Sequence, residues 1–387
     1  MIIDNCSIII IKVGVRMNIY DYIDKYGMYS FSEKEINEVD FVIFSFLSYA
    51  NFSEVFLEKD CLTIQEAGRV HLGLYPSKDK NVIAVKEGNR LLRYIKDTNR
   101  YKNCLLYHQV YVGNDEVQFG AISIEYLKNK VYVSFEGTDQ LISGWKENFM
   151  LSFEFPTKSH KLAIQYLNKY YTFSNKQLIV GGHSKGGNLA LVGAMMANFL
   201  VKSKIKKVIN ADGPGLLDKE FRSDRYRKLL NKYIHIIPNY SIVGLFLNHS
   251  NDFVVESSVK GVLAHDIVYW QVEDDHFKRS ELSYFTKELD REIANWYQSF
   301  SDTDKEVFIE NLMDIFEKSD IHSIDEVKKN QKKILDFIYE SKDMNATTKK
   351  VLSDFIFMVI KCIANTKKEE WKISLSNMFK VNYGVKS

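Results

Sequence analysis

Apolar and polar positions change rhythm several times along this chain. Val39, Val42, Ile43, Phe46 and Leu47 recur at the spacing of one helical face, and Ser32-x-x-Glu35 ahead of them has the form of a capping box. The spacing predicts an early helix packed on a core. Residues 61–72 and 87–96 read as further helices around a loop at 73–79. From Leu105 the period shortens towards two. Residues 107–112, 117–126 and 131–135 are rich in Val, Ile, Tyr and Phe, and Lys128-Asn129-Lys130 divides the last two as a hairpin turn. Helical spacing returns over 160–171 and 188–200, with strands expected at 178–182, 207–210 and 233–237. Apolar segments follow at 242–247 and 253–255, then a segment around His265. Strands alternating with helices predict right-handed parallel crossovers and a covered sheet.

The last hundred residues change character. Thr303-x-x-Glu306 and Ser323-x-x-Glu326 each precede an amphipathic run, and 351–364 is a third, more apolar stretch. At about fourteen residues, with Asp354 and Lys361 inside it, that stretch is too short and too charged to span a bilayer. The organisation expected is a loose extension over 1–16, a catalytic domain over 17–286 and a helical appendage over 287–387.

The segment that carries chemistry is Leu178-Ile179-Val180-Gly181-Gly182-His183-Ser184-Lys185-Gly186-Gly187-Asn188-Leu189. An apolar strand pattern meets Gly-x-Ser-x-Gly and passes into a helical pattern, which is the context of a nucleophile elbow in an α/β-hydrolase fold. Such a serine sits at positive φ, and Gly182, Gly186 and Gly187 supply the room around it. A serine hydroxyl attacks only when a base takes its proton, and the base needs an acid to orient it. The nearby histidines downstream of Ser184 are His235, His249, His265 and His276. His265, in a loop after the last β-type segment, is the preferred base. Three acids compete: Asp212 at the end of the strand after the elbow helix, Asp252 before Val254-Val255, and Asp266, which adjoins the histidine. Asp212 ranks first because the carboxyl end of a parallel sheet is where a site assembles, and Asp252 is the alternative. The amide of Lys185, at a helix N-terminus, and Gly137-Thr138 are the candidate oxyanion donors.

Composition narrows the class further. The 387 residues are 45% hydrophobic with 4 prolines, so a large core can form. A net charge of +2 gives no general surface for nucleic acid. Cys6, Cys61, Cys104 and Cys362 are scattered with no paired spacing, which predicts neither a disulfide framework nor a zinc knuckle and points to a reduced, cytoplasmic setting. No metal or cofactor is called for. Basic runs at 202–207 and 328–333 read as solvated faces that leave room for weak peripheral contact with anionic lipid.

Phe135-Glu136-Gly137-Thr138-Asp139, Trp145, Gly182-His183-Ser184-Lys185-Gly186-Gly187 and His265-Asp266-Ile267-Val268-Tyr269-Trp270 together resemble the class 3 lipases among the α/β-hydrolases. More narrowly they resemble an uncharacterised bacterial lipase-like family that carries a lysine after the serine. The resemblance covers roughly residues 17–280. It implies Ser184 as nucleophile, His265 as general base, Thr138 as an oxyanion-hole residue and Trp145 as the start of a lid. Two departures stand out. Glu136 replaces an arginine common before Gly-Thr, and Tyr240-Ser241-Ile242-Val243 stands where class 3 lipases have Asn-Asp-Ile-Val, so that Ser241 occupies the place of the usual acid. Asp212 could substitute for it.

Residues 148–156 are crowded with Phe149, Met150, Leu151, Phe153 and Phe155, which read equally as an apolar entrance for acyl chains, together with Trp145, and as a buried core segment. The function expected is hydrolysis of carboxylic, lipid-like esters through a Ser-His-Asp triad. Open beside it are a non-catalytic lipid- or partner-binding descendant of the fold and another acyl-transfer enzyme such as a thioesterase, acyltransferase or peptidase. Oligomeric state is not legible.

Overall fold

The computed structural model describes residues 17–284 apart from 51, 58, 75–82, 115–116, 139–149 and 152–153. Beyond these it describes 286–287, 290–291, 307, 311, 314–315, 318, 329–340, 349–350 and 353.

Eight strands lie side by side in chain order in one sheet. They are β1 (Cys61–Thr63), β2 (Leu105–Gly113), β3 (Gln118–Leu127), β4 (Lys130–Phe135), β5 (Gln177–His183), β6 (Ile205–Ala211), β7 (Tyr233–Pro238) and β8 (Asp252–Val255). β1 to β4 pair antiparallel. From β4 to β8 every neighbour is parallel. The antiparallel entry follows from its tight turn, where Asn129 takes φ 62 and its amide donates to Glu125 at 2.8 Å. Parallel neighbours cannot be joined so briefly and need crossovers. The helix Lys158–Tyr171 connects β4 to β5, and Lys185–Met196 with Phe199–Lys204 connects β5 to β6.

These crossover helices cover one face of the sheet, where Ala163, Leu167, Leu189 and Val192 pack with Val131, Val133, Leu178 and Val180. The other face receives the N-terminal helices Ile19–Tyr26 and Glu38–Leu47, and Val39, Val42 and Phe44 meet Ile122, Tyr132, Ile179 and Ile209 there. Successive residues of β5 therefore enter different cores, Leu178 and Val180 one and Ile179 the other. That is why the strand reads as an unbroken apolar run. This is an α/β-hydrolase architecture, a mostly parallel sheet covered by helices.

Three local expectations shift. Asn37, not Ser32, caps the helix Glu38–Leu47, accepting from the amides of Val39 and Asp40 while Asp40 accepts from the Asn37 amide. Residues 61–72 divide, because Cys61–Thr63 pairs with β2 before the helix Ile64–Leu74 begins. The apolar run at 242–247 is turn rather than strand, with Leu247 at φ 69. Of the C-terminal appendage, the helix Gln331–Glu340 is described, with Ile334 and Ile338 buried. Residues 1–16 and most of 292–387 lie outside the described residues. Among the described residues no helix is long and apolar enough to cross a membrane.

Candidate active site

β5 runs straight to His183, the chain turns at Ser184 with φ 58 and ψ −133, and a helix begins at Lys185. A non-glycine residue in this region is strained by roughly 1–3 kcal/mol and persists only where its surroundings fix it. Here the Ser184 amide donates to Ala211 O at 2.9 Å, and Ser184 O accepts from Gly187 N at 2.9 Å. The turn is close-packed. A methyl group on Gly186 would stand 2.1 Å from Phe135 O, and one on Gly182 would stand 2.3 Å from the Gly186 carbonyl carbon. The Ser184 side chain does not cap the helix that follows, so the first amides and the positive end of its dipole are presented beside the serine. Ser184 itself is 7% exposed.

Next to this turn, β6 ends and Asp212 takes φ 50, entirely buried. Its Oδ2 lies 2.7 Å from His265 Nδ1. The other oxygen, Oδ1, accepts from Ser241 Oγ at 2.5 Å and from the Gly244 amide at 3.2 Å. A carboxylate so held fixes the proton of His265 on Nδ1 and leaves Nε2 as the acceptor. Among the described residues no hydrogen bond joins Ser184 to His265. Such contacts are commonly long before substrate binds.

His183 sets where His265 sits. The His183 ring lies 4.4 Å from the His265 ring, centroid to centroid, and its Nε2 stands 2.9 Å from the His265 carbonyl oxygen. A carbonyl only accepts, so Nε2 carries the proton and Nδ1 accepts from Tyr49 OH at 3.0 Å. Burial above all holds His183 neutral, well below the usual imidazole range. The His265 loop is pinned again from behind, where Trp270 Nε1 donates to Ala264 O at 2.8 Å.

The rival acids are engaged elsewhere. Asp252 Oδ1 and Oδ2 face His235 Nδ1 and His249 Nδ1 at 2.8 and 2.9 Å. Burial would raise the Asp252 carboxyl, yet the two imidazoles hold it well below the ordinary range. Burial likewise opposes charge on His249, but hydrogen bonds to Asp252 and Asp290 push it up to about 9. Asp266 accepts from the Val268 amide, and burial pushes its carboxyl up to about 6.

Thr138 is half-buried, directly after Gly137, where a methyl group would stand 2.6 Å from His183 O. The Lys185 side chain is 1% exposed and its Nζ donates to Gln118 O on β3 at 2.6 Å, so the ammonium is tied into the interior while the backbone opens the helix. Of the lid candidates, Met150 is described and half-buried; Trp145, Phe149 and Phe153 lie outside the described residues. Sequence reasoning missed Tyr49, and it missed Asn188, whose side chain bonds His160 Nε2 at 2.6 Å and Gly215 O at 2.7 Å across the first turn of the elbow helix. It named His183 only as part of a motif. An apolar, phenylalanine-rich helix end carries no local signal of a partner more than a hundred residues away.

A family model described as Mbeg1-like matches residues 95–314, which takes in the elbow, Asp212 and His265 and runs past the boundary expected at 286. No curated protein matches the sequence. Among solved structures, a lipase–propeptide complex of Rhizomucor miehei aligns at 11% identity and TM-score 0.33, covering 56% of this chain and 67% of the lipase. M37 lipase aligns at 14% identity and TM-score 0.33, covering 67% of this chain and 80% of that one. At these scores the likeness is too slight to argue from.

Proposed function

The chain belongs to the Mbeg1-like family, and on that premise we propose that it is a serine hydrolase cleaving carboxylic esters by way of an acyl-enzyme on Ser184. The observation that carries this reading is the 2.7 Å contact between His265 Nδ1 and a fully buried Asp212 carboxylate, next to a serine held at φ 58 at the head of a helix. In the proposed cycle His265 Nε2 takes the Ser184 proton as Oγ attacks the ester carbonyl. The developing oxyanion is met by the Lys185 amide and by Thr138, and His265 returns the proton to the leaving alcohol. Water, activated by the same imidazole, then releases the acid. Residues of this chain carry every step.

A lipid-like acyl group is the substrate class proposed, motivated by the large apolar residues that follow Thr138 in sequence and by the resemblance to lipases. The test is labelling with a fluorophosphonate and hydrolysis of a series of p-nitrophenyl esters by the wild type and by Ser184→Ala. Loss of the label and a fall of about 10⁴–10⁶ in turnover are expected for the variant. A wild type that is folded yet neither labels nor hydrolyses any ester would favour a non-catalytic, binding descendant. Thioesters and amides run beside the esters distinguish other acyl-transfer chemistry.

A further inference from the structure

A second group of titratable side chains stands on the far strands of the sheet, apart from Ser184. β7 supplies His235, the first residue of β8 supplies Asp252, and the loop between them supplies His249. One donor atom from each lies within 4.8 Å of the other two.

The orientation of the rings is the informative part. His235 Nε2 lies 3.0 Å from Gly213 O, which can only accept, so that nitrogen carries a proton. His249 Nε2 faces Asp290 Oδ1 at 3.7 Å. With the distal nitrogens turned to acceptors, both Nδ1 atoms converge on the two oxygens of Asp252, at 2.8 and 2.9 Å. Lone pairs directed at a carboxylate repel unless positive charge stands between them. At His235, whose Nε2 proton faces Gly213 O, a second ring proton would supply it, and so would a divalent cation shared with His249; either balances the Asp252 carboxylate. His235 is completely buried. A ligating imidazole whose other nitrogen donates to a carbonyl or carboxylate is the usual arrangement around a bound metal. Two imidazoles and one carboxylate form a donor set suited to zinc, with a fourth position for water.

We propose that His235, His249 and Asp252 bind a zinc ion through their Nδ1 atoms and the carboxylate, with Gly213 O and Asp290 as the acceptors behind the two rings. Such an ion would clamp β7 to the loop before β8. Through Gly213 it would also stiffen the residue next to Asp212. The site stands on its own ligands and does not depend on the chemistry at Ser184.

The full-length protein, stripped with a chelator and dialysed, is titrated with zinc chloride by calorimetry, and bound metal is counted by mass spectrometry. Cobalt(II) in place of zinc reports the geometry by visible absorption. One zinc per chain is expected, with the intense bands of four-coordinate cobalt and a melting temperature that rises with zinc concentration. Asp252→Asn, which keeps the shape, should weaken zinc at least about 100-fold, and Asp290→Asn roughly 10-fold, the range seen when support behind a metal ligand is lost. If Asp252→Asn does not fold, His249→Gln at its half-buried position makes the same test. Stripped protein that takes up no zinc would mean the cluster is held by protons and would overturn the proposal. So would zinc bound equally well by the variants, which would assign it to other histidines.

Discussion

Ser241 Oγ donates a 2.5 Å hydrogen bond to Asp212 Oδ1, from the turn after β7 to the end of β6. The sequence position at which class 3 lipases carry their acid is thus in contact with the acid candidate on the neighbouring strand. A hydroxyl there cannot orient an imidazole as a carboxylate does, but it can fix the position of the carboxylate that does, and a hydrogen bond to a charged group contributes about 1.5–3 kcal/mol. Asp212→Asn is expected to lower ester turnover about 10⁴-fold with little change in KM, as loss of a triad acid does. Ser241→Ala should lower it roughly ten- to a hundredfold, and far less in the Asp212→Asn background. Steady-state kinetics on the four proteins of this double-mutant cycle check the coupling; additive losses would sink the assignment of Ser241 to Asp212.

Asp266 makes stability depend on pH. Its carboxyl is pushed up to about 6 in the folded protein by burial, against about 3.9 in an unfolded chain. Folding therefore takes up a proton. The associated stability is whole below about pH 4 and is lost as pH rises through about 6. Asp266→Asn, which can still accept from the Val268 amide, should flatten this dependence and stabilise the protein above pH 6 by up to about 3 kcal/mol. Denaturant titrations at pH 4, 5, 6 and 7 measure it, and parallel profiles for variant and wild type would refute it.

The elbow tolerates no side chain at Gly186, where a methyl group would meet Phe135 O at 2.1 Å. Both atoms belong to backbone held by the sheet and the helix, so neither can yield cheaply. Gly186→Ala should lose at least the roughly 1–3 kcal/mol typical of overpacking, together with fluorophosphonate labelling. A midpoint of unfolding equal to the wild type's would show that the turn can widen to admit a methyl group.

On the opposite face, Asp40 is completely buried, paired with Arg100 at 2.5 Å and accepting from Tyr101 OH at 2.6 Å. Removing one partner strands the other charge in the interior. Asp40→Ala is expected to destabilise by about 3–5 kcal/mol, while Asp40→Ala with Arg100→Met should recover part of that loss. Chemical denaturation of the two variants tests it.

Much of this molecule was written locally. The change from period two to helical spacing, the tight turn at Asn129 and the Gly-x-Ser-x-Gly junction depend on neighbouring residues, so the sheet, its crossovers and the serine's turn could be read in order along the chain. Ends of elements were less legible. The helix Glu38–Leu47 begins at Asn37 because Asp40 both caps it and answers Arg100, which lies sixty residues on. What the sequence determined by itself was the type and order of the elements and the placing of Ser184 between a strand and a helix. Which carboxylate meets His265, what Ser241 touches, why His183 stands against His265 and how His235, His249 and Asp252 converge were decided only by the tertiary structure, since parallel strands bring their carboxyl ends together across loops whose length and direction no local pattern records.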